Sequence, residues 1–343
     1  MNQMKGQFGT ANITIPLDQV EETCQQQIQV FLDHPAFTQQ IAIMPDTHAG
    51  KGAVIGFTMP LGDRVIPNVI GVDIGCGMHS FSFGRDMGVS HEHVDAFVRA
   101  HVPFGFNVHE RPAIDTARDF PWEAVTRQAR SFAARFSAQR GLKMTAPRYC
   151  MDWFLAKCRQ IGMDSGRTIR SLGSLGGGNH FIEIGRSTTS EDLWVTIHTG
   201  SRGFGLKIAN YWQSIATRNR TTGLRDILRT ETARIKAETK NRRDIQGKIA
   251  EVRTRLGLDK NGNPSGLEWL EDEDMAGYLF DMIFAQAYAE ENRRVIASVL
   301  CRALGVEIGD EVHSVHNFIS PEDFIIRKGA ISSYDDERMI IPF

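Results

Sequence analysis

The run Val69-Ile70-Gly71-Val72-Asp73-Ile74-Gly75-Cys76-Gly77-Met78 constrains this chain more than any other stretch. An apolar segment ends there in alternating glycines, with a carboxylate and a thiol three residues apart. Glycine permits the tight turns that aim both side chains at one point. A carboxylate alone suits a hard ion. A thiolate beside it suits a transition metal, and a thiolate can bridge two ions. On its own, Asp-x-x-Cys is more often a turn beside a small buried thiol. Two ligands do not complete a site, so further donors must come from elsewhere.

Three downstream segments supply histidines in similar company. They are Gly173-Ser174-Leu175-Gly176-Gly177-Gly178-Asn179-His180-Phe181-Ile182-Glu183, Trp194-Val195-Thr196-Ile197-His198-Thr199-Gly200-Ser201-Arg202-Gly203, and Val312-His313-Ser314-Val315-His316-Asn317. In the second, a β-rich run ends at His198 and a Gly-Ser-Arg-Gly loop follows, a common placement for functional residues. In the first, period-two alternation sets His180, Ile182 and Ile184 on one face and Asn179, Phe181 and Glu183 on the other. A lone histidine at a strand end is more often a hydrogen-bonded core or surface group. The glycine run 173–178 is a weak phosphate signal, because it lacks the Lys-Ser/Thr ending of a P-loop. The combination of segments carries the metal reading, and spacing does not show that they converge.

The 343 residues suffice for one large domain or two ordinary ones. A composition of 41% hydrophobic and 23% charged residues is that of a globular protein. A formal charge of −2 excludes a globally basic nucleic-acid binder but leaves room for a local basic groove. Five scattered cysteines do not form a disulfide framework, so a reducing, cytoplasmic location is expected. No signal peptide and no membrane-spanning stretch is visible.

Residues 1–85 read as strands and tight turns around one helix-like segment, Leu17 to Phe31. Asp46 and His48, after Ile41-Ala42-Ile43-Met44-Pro45, read equally as site residues or as an Asx-type turn. Residues 91–165 read as largely helical, with Trp122, Phe132, Phe136 and Trp153 as packing residues and His91 and His93 solvated. Strands with glycine-rich loops return over 171–205. A basic helical stretch spans 207–256, followed by a turn at Asp259 to Pro264. Between Arg225 and Arg255 there are ten Lys/Arg against five Asp/Glu. A solvated helical hairpin is the plainer reading of that stretch, and an RNA-backbone contact the sharper one. Met275 to Leu304 reads as a core helix, with Tyr278, Met282, Ala285 and Ala289 at helical spacing.

Together these motifs resemble the RtcB family of RNA ligases, from about Ile41 onward. The resemblance rests on Pro45-Asp46-x-His48, Gly71-Val72-Asp73-x-Gly75-Cys76-Gly77, Gly176 to Glu183, His198-x-Gly200-Ser201-Arg202-Gly203, His316-Asn317 and Arg327-Lys328-Gly329-Ala330. The short length and the basic helical stretch look like a compact branch of that family. The implied fold is α+β, a single domain over 1–343 with mixed β-sheets around a metal site and helices at the periphery. The implied activity joins an RNA 3′-phosphate or 2′,3′-cyclic phosphate to a 5′-hydroxyl, in RNA repair or tRNA splicing, with GTP and two Mn²⁺ ions.

Carried over by residue, Asp73, Cys76, His180, His198 and His316 would hold the ions, with Cys76 bridging. His316 is preferred to His313 because the family pattern has Asn directly after the ligand. Asn179, Glu183 and Asn317 would contact the guanine nucleotide, and Arg202 and Lys328 would neutralise phosphate charge. The family route passes through a guanylylated histidine, transfer of GMP to the RNA 3′-phosphate, and attack by the 5′-hydroxyl. The run that carries that histidine, and a nucleotide-binding segment beside it, have no match before Phe343. The expectation is that the metal site survives and that ligation by this polypeptide is impaired. Two other classes compete: a metal-dependent RNA-end phosphoesterase and a non-catalytic RNA-end binding protein. The sequence does not reveal an oligomeric state.

Overall fold

The computed structural model describes residues 2–141, 143–258 and 264–340. The chain opens with β1 (Asn2–Lys5) and β2 (Thr10–Ile13), an antiparallel pair. Helix α1 (Glu22–Leu32) leads to β3 (Ile41–Ile43), parallel to β2, and β4 (Phe57–Pro60), antiparallel to β3. The short helix α2 (Pro67–Ile70) starts on Pro67, whose fixed φ and missing N–H suit a first helical position. It stops at Gly71, where φ is +93°. Strand β5 (Gly77–Ser82) carries the end of the glycine-rich run.

Helices α3 (His91–His101), α4 (Thr116–Asp119), α5 (Trp122–Arg140), α6 (Met151–Gln160) and α7 (Ser165–Ser171) come next. Ser90 and Asp164 cap α3 and α7 by accepting the N–H groups of His93 and Arg167. Strands β6 (Phe181–Arg186) and β7 (Leu193–Thr199) follow. Then come α8 (Arg202–Thr221), α9 (Leu224–Glu238), α10 (Arg242–Arg255) and α11 (Asp272–Leu304). The last strands are β8 (Glu311–Val315), β9 (Asn317–Ile319) and β10 (Ile325–Lys328).

Two sheets result, one of six strands in the order β1-β2-β3-β4-β10-β9 and one of four in the order β6-β7-β5-β8. The chain passes between them between β4 and β5, and again at the single residue between β8 and β9. Those two crossings hold Asp73–Cys76 and His316. Helix α11 packs against β5 and β7 of one sheet, β9 of the other, and α3, α5 and α8. Its residues are buried nearly all round, as expected for a helix inside a large core. Phe284 sits in a cage of aromatic rings from Phe120, Trp122, Tyr149, Trp153, Phe154 and Phe204, with centroids 4.7–5.9 Å away. Truncating such a side chain to Ala typically costs about 3–5 kcal/mol.

The fold is α+β with mixed sheets, as the sequence suggested. Phe132 and Phe136 are buried, and Trp122 and Trp153 pack partly buried against the same core. Tyr278, Met282, Ala285 and Ala289 are buried on α11. Two details differ. The segment Leu17 to Phe31 is not one helix: a 3₁₀ turn at Leu17–Gln19 precedes α1, because Val20 and Glu21 are extended. The stretch 207–256 is three helices, broken first at Gly223, where φ is +79°. The expected turn at Asp259 to Pro264 falls largely outside the described residues.

The basic stretch packs α9 on α10, and its charges pair at the surface. Arg234 meets Glu231 and Glu238, Arg255 meets Glu231, and Arg229 meets Asp226. Exposed pairs of this kind contribute little to stability. Among the described residues no helix is long and apolar enough to cross a membrane.

His34 gives a pH test of this packing. It is buried beside Phe37 and Trp269, its Nδ1 accepts the N–H of Ala36, and burial pushes its pKa down to about 4. The unfolded chain binds the proton first, so this stability is complete above about pH 6.5 and is lost as pH falls towards 4. The shift corresponds to at most about 3 kcal/mol. In urea unfolding between pH 7 and 4, His34→Asn is expected to flatten the decline. An unchanged slope would show that His34 titrates normally.

Candidate metal centre

Four separate stretches of the chain deliver side chains to one point. Asp73 and Cys76 come from the turn before β5, where the Cys76 N–H donates to the Asp73 carbonyl at 3.1 Å. His180 precedes β6, His198 lies near the end of β7, and His316 sits between β8 and β9. The Nε2 of His180 is 2.9 Å from Asp73 Oδ2 and 3.6 Å from Cys76 Sγ. On the other side of the sulfur, His198 Nε2 is 3.3 Å from Cys76 Sγ and 3.3 Å from His316 Nε2. Two donor triplets therefore share Cys76: Asp73-Cys76-His180 and Cys76-His198-His316.

The second nitrogen of two of these rings is tied to the backbone. His180 Nδ1 donates to the Leu175 carbonyl and His198 Nδ1 to the Asn179 carbonyl, each at 3.1 Å. Fixing Nδ1 as the donor leaves the Nε2 lone pair facing the centre, the arrangement expected behind metal-binding imidazoles. Burial, followed by the neighbouring imidazole, lowers His198 to about 4 and His316 to about 3, so both are neutral at pH 7. Burial, then the adjacent Asp73 carboxylate, pushes the Cys76 thiol well above its ordinary range. Burial alone would raise Asp73 as well, but its contacts with His180 outweigh this and hold it low. A bound cation would reverse the state of the thiol, because a coordinating thiol is deprotonated outright. A sulfur flanked by imidazoles and a carboxylate fits a pair of borderline transition ions.

The backbone locks the loops to one another. Gly75 N–H donates to the Asn317 carbonyl, His316 N–H to the Cys76 carbonyl, and Ala330 N–H to the His316 carbonyl. Two glycines here have no substitute. Gly75 has φ +76° and lies against the α11 backbone, where a Cβ would stand 2.9 Å from the Gln286 Cα. A Cβ on Gly200 would collide with the Asp73 carboxylate.

The family profile described as tRNA-splicing ligase RtcB matches residues 27–342. The chain belongs to the RtcB family. It is 26% identical over 343 residues to RNA-splicing ligase RtcB of Escherichia coli K12, covering 94% of this chain and 72% of that protein. RNA-splicing ligases RtcB1 and RtcB2 of a second Escherichia coli strain are 26% and 23% identical, with 72% and 66% of their lengths covered.

The other residues expected at an RtcB site fall around this centre in different ways. Lys328 presses its ammonium against Gly71, close enough to feel the charges of Cys76 and Asp73. Arg202, at φ +56°, is turned into the glycine loop, donating to Ser174 Oγ and the Gly105 carbonyl, both at 2.9 Å. Asn317 Oδ1 accepts the Gly329 N–H at 3.0 Å. The side chains of Asn179 and Glu183 are exposed at the start of β6. Asp46 and His48 are exposed, and His48 Nδ1 donates to the Asp46 main-chain carbonyl at 2.9 Å. His313 is not at the centre. It stacks on His79 with ring centroids 4.0 Å apart.

Sequence reasoning missed Asn292 and Arg293. Both project from α11 under the centre and are fully buried. Asn292 accepts the N–H groups of Gly173 and Ser174 and donates to the carbonyls of Ser174 and Gly200. Arg293 Nη1 donates to the carbonyls of Gly75 and Thr199, both at 2.9 Å. The sequence offered no local signal, because the pair lies inside the polar run Glu290 to Arg294, whose flanking Glu290 and Arg294 are exposed.

Removing the Asn292 side chain strands several backbone groups at once. Asn292→Leu is expected to cost about 2–4 kcal/mol in urea unfolding, at about 1–3 kcal/mol per unsatisfied buried group. Gly200→Ala is expected to displace Asp73 and lower metal content, measured by atomic emission on dialysed protein. Full metal occupancy in that variant would mean that Asp73 is not a ligand.

Proposed function

We propose that this chain is an RNA ligase centre acting on RNA 3′-phosphate or 2′,3′-cyclic phosphate ends and 5′-hydroxyl ends, with two Mn²⁺ ions and GTP. The observation that carries the reading is the Cys76 sulfur, shared between two donor triplets. Asp73, Cys76 and His180 would hold one ion, and Cys76, His198 and His316 the other. A metal pair of this kind neutralises phosphate charge and aligns attacking and leaving oxygens.

The chain's own residues do the positioning. The backbone-tied His180 and His198 keep their lone pairs aimed without reorganisation. Arg293 places a fixed positive charge beneath the sulfur and carboxylate. Lys328, beside Gly71, also lines a cavity of about 540 Å³ with Lys51, Asn68, Gly71 and Val72. A cavity of that size suits a nucleotide or an RNA terminus. In this reading Lys328 meets phosphate there. Arg202 acts by holding the glycine loop and by its charge. Asn179, Glu183 and Asn317 face the guanine nucleotide. Phosphoryl transfer rests mainly on such positioning and charge neutralisation. The single-domain organisation over 1–343, with α11 packed on both sheets, belongs to the same proposal. So does a cytoplasmic location, supported by five cysteines that are all free.

The test measures Mn²⁺ content together with end-dependent RNA binding. The wild type is expected to bind about two Mn²⁺ and to prefer 3′-phosphate over 3′-hydroxyl RNA by about tenfold, a difference near 1.4 kcal/mol. Cys76→Ala is expected to lose both. RNA binding indifferent to Mn²⁺ and to Cys76 would instead identify a non-catalytic binder. Terminal phosphate release without joined product, in the presence of GTP, would identify a phosphoesterase.

A further inference from the structure

A second cluster of donors lies on β5 and β8, three residues along the chain from Cys76 and from His316. His79 of β5 is the direct cross-strand partner of His313 of β8, and Glu311 is two residues before His313. Residues two apart on a strand share a face, and a cross-strand pair brings its Cβ atoms within about 4.5–5.5 Å. The register therefore puts all three side chains on one side of the sheet. His79 Nε2 is 3.0 Å and His313 Nε2 is 3.4 Å from the same oxygen, Glu311 Oε2. The two rings stack with planes 18° apart.

As a hydrogen-bonded cluster this arrangement is poor. Two imidazoles compete for one carboxylate oxygen, and the buried Nδ1 atoms of both rings have no partner. The donor spacing suits a chelate: donors about 2.1 Å from a tetrahedral ion stand about 3.4 Å from one another, close to the 3.0 and 3.4 Å from the two imidazoles to Glu311. Holding one ion requires the stacked rings to turn so that both in-plane Nε2 lone pairs converge on it. Burial lowers both histidines, His79 to about 4, so their lone pairs are available at neutral pH. Glu311 is half exposed, which gives an ion a way in from solvent. The helix face opposite supplies Glu290 and Arg294, whose charges offset each other through a 2.8 Å pair.

We infer that His79, His313 and Glu311 form a separate site for one borderline divalent transition ion of the Zn²⁺ class, held by two imidazole nitrogens and a carboxylate. It shares no ligand with the Cys76 centre. An ion there bridges β5 to β8, the strand at the sheet's edge, and thereby fixes the strand that leads into His316.

The test is titration of the metal-stripped full chain with Co²⁺, read by visible and near-ultraviolet absorption and by bound-metal analysis. Cys76→Ser is expected to lose the sulfur-to-cobalt charge-transfer band yet keep one equivalent of Co²⁺ with only ligand-field absorption. Glu311→Gln and His313→Ala, both at partly exposed positions, are expected to keep the sulfur band and bind one equivalent fewer than wild type. Zn²⁺ is expected to raise the Tm of Cys76→Ser protein, and Cys76→Ser/Glu311→Gln is expected to lose that rise. The inference is overturned if Glu311→Gln and His313→Ala bind as much Co²⁺ as wild type, or if Cys76→Ser binds none. Loss of the sulfur band in wild type would instead count against the Cys76 centre alone.

Discussion

The Asn292–Arg293 pair on α11 is the constraint on which the rest of the site depends. Every segment that brings a donor to the centre ends in a loop, and loops carry backbone groups that water would ordinarily satisfy. Here the loops are buried, so their carbonyls and N–H groups need partners within the protein. Asn292 takes the glycine loop and Gly200, and Arg293 takes Gly75 and Thr199. A fully buried guanidinium is costly on its own. It is tolerated because two carbonyls accept from it and the Glu290 and Asp73 carboxylates lie within reach of its charge. The same helix buries its apolar positions against both sheets, so packing holds the polar pair in place.

The chemistry-bearing segments were legible because their signals are local. Glycines at 71, 75 and 77 around Asp73 and Cys76, and histidines beside glycine-rich loops, announce turns with functional side chains within a few residues of one another. Fold class followed from the resemblance that those segments carry, and the helical spacing along 275–304 agreed with it. Boundaries were less so. The Val20-Glu21 pair shortens α1, and Gly223 in the left-handed region breaks the stretch 207–256.

What stayed hidden is set by pairing between distant strands. His313 and His316 sit in one polar-apolar run, and nothing local separates them. Strand register does: His313 faces His79 across the β5–β8 ladder, whereas His316 lies beyond the ladder and reaches His198. Asn292 and Arg293 escaped notice because a helical pattern marks only the apolar face, and the partners of this pair are contributed by segments about a hundred residues away and more. Arg202 is a mixed case. The resemblance implied a cation that neutralises phosphate charge, and strand and loop packing add a second part that no motif announces, bonds from its Nε and Nη2 to Ser174 and Gly105.

His316 stands alone between a strand of one sheet and a strand of the other. A single residue leaves no slack, so any change in the angle between the sheets is transmitted to that imidazole. The centre thus sits at a seam, and its ions would act as rivets through it. Two layers joined by α11 and by two crossings of the chain gain a further fastening when metal is bound. The energy of coordination then becomes stiffness between the layers. In that sense the chemistry of the site and the rigidity of its scaffold are one property, and neither can be tuned without the other.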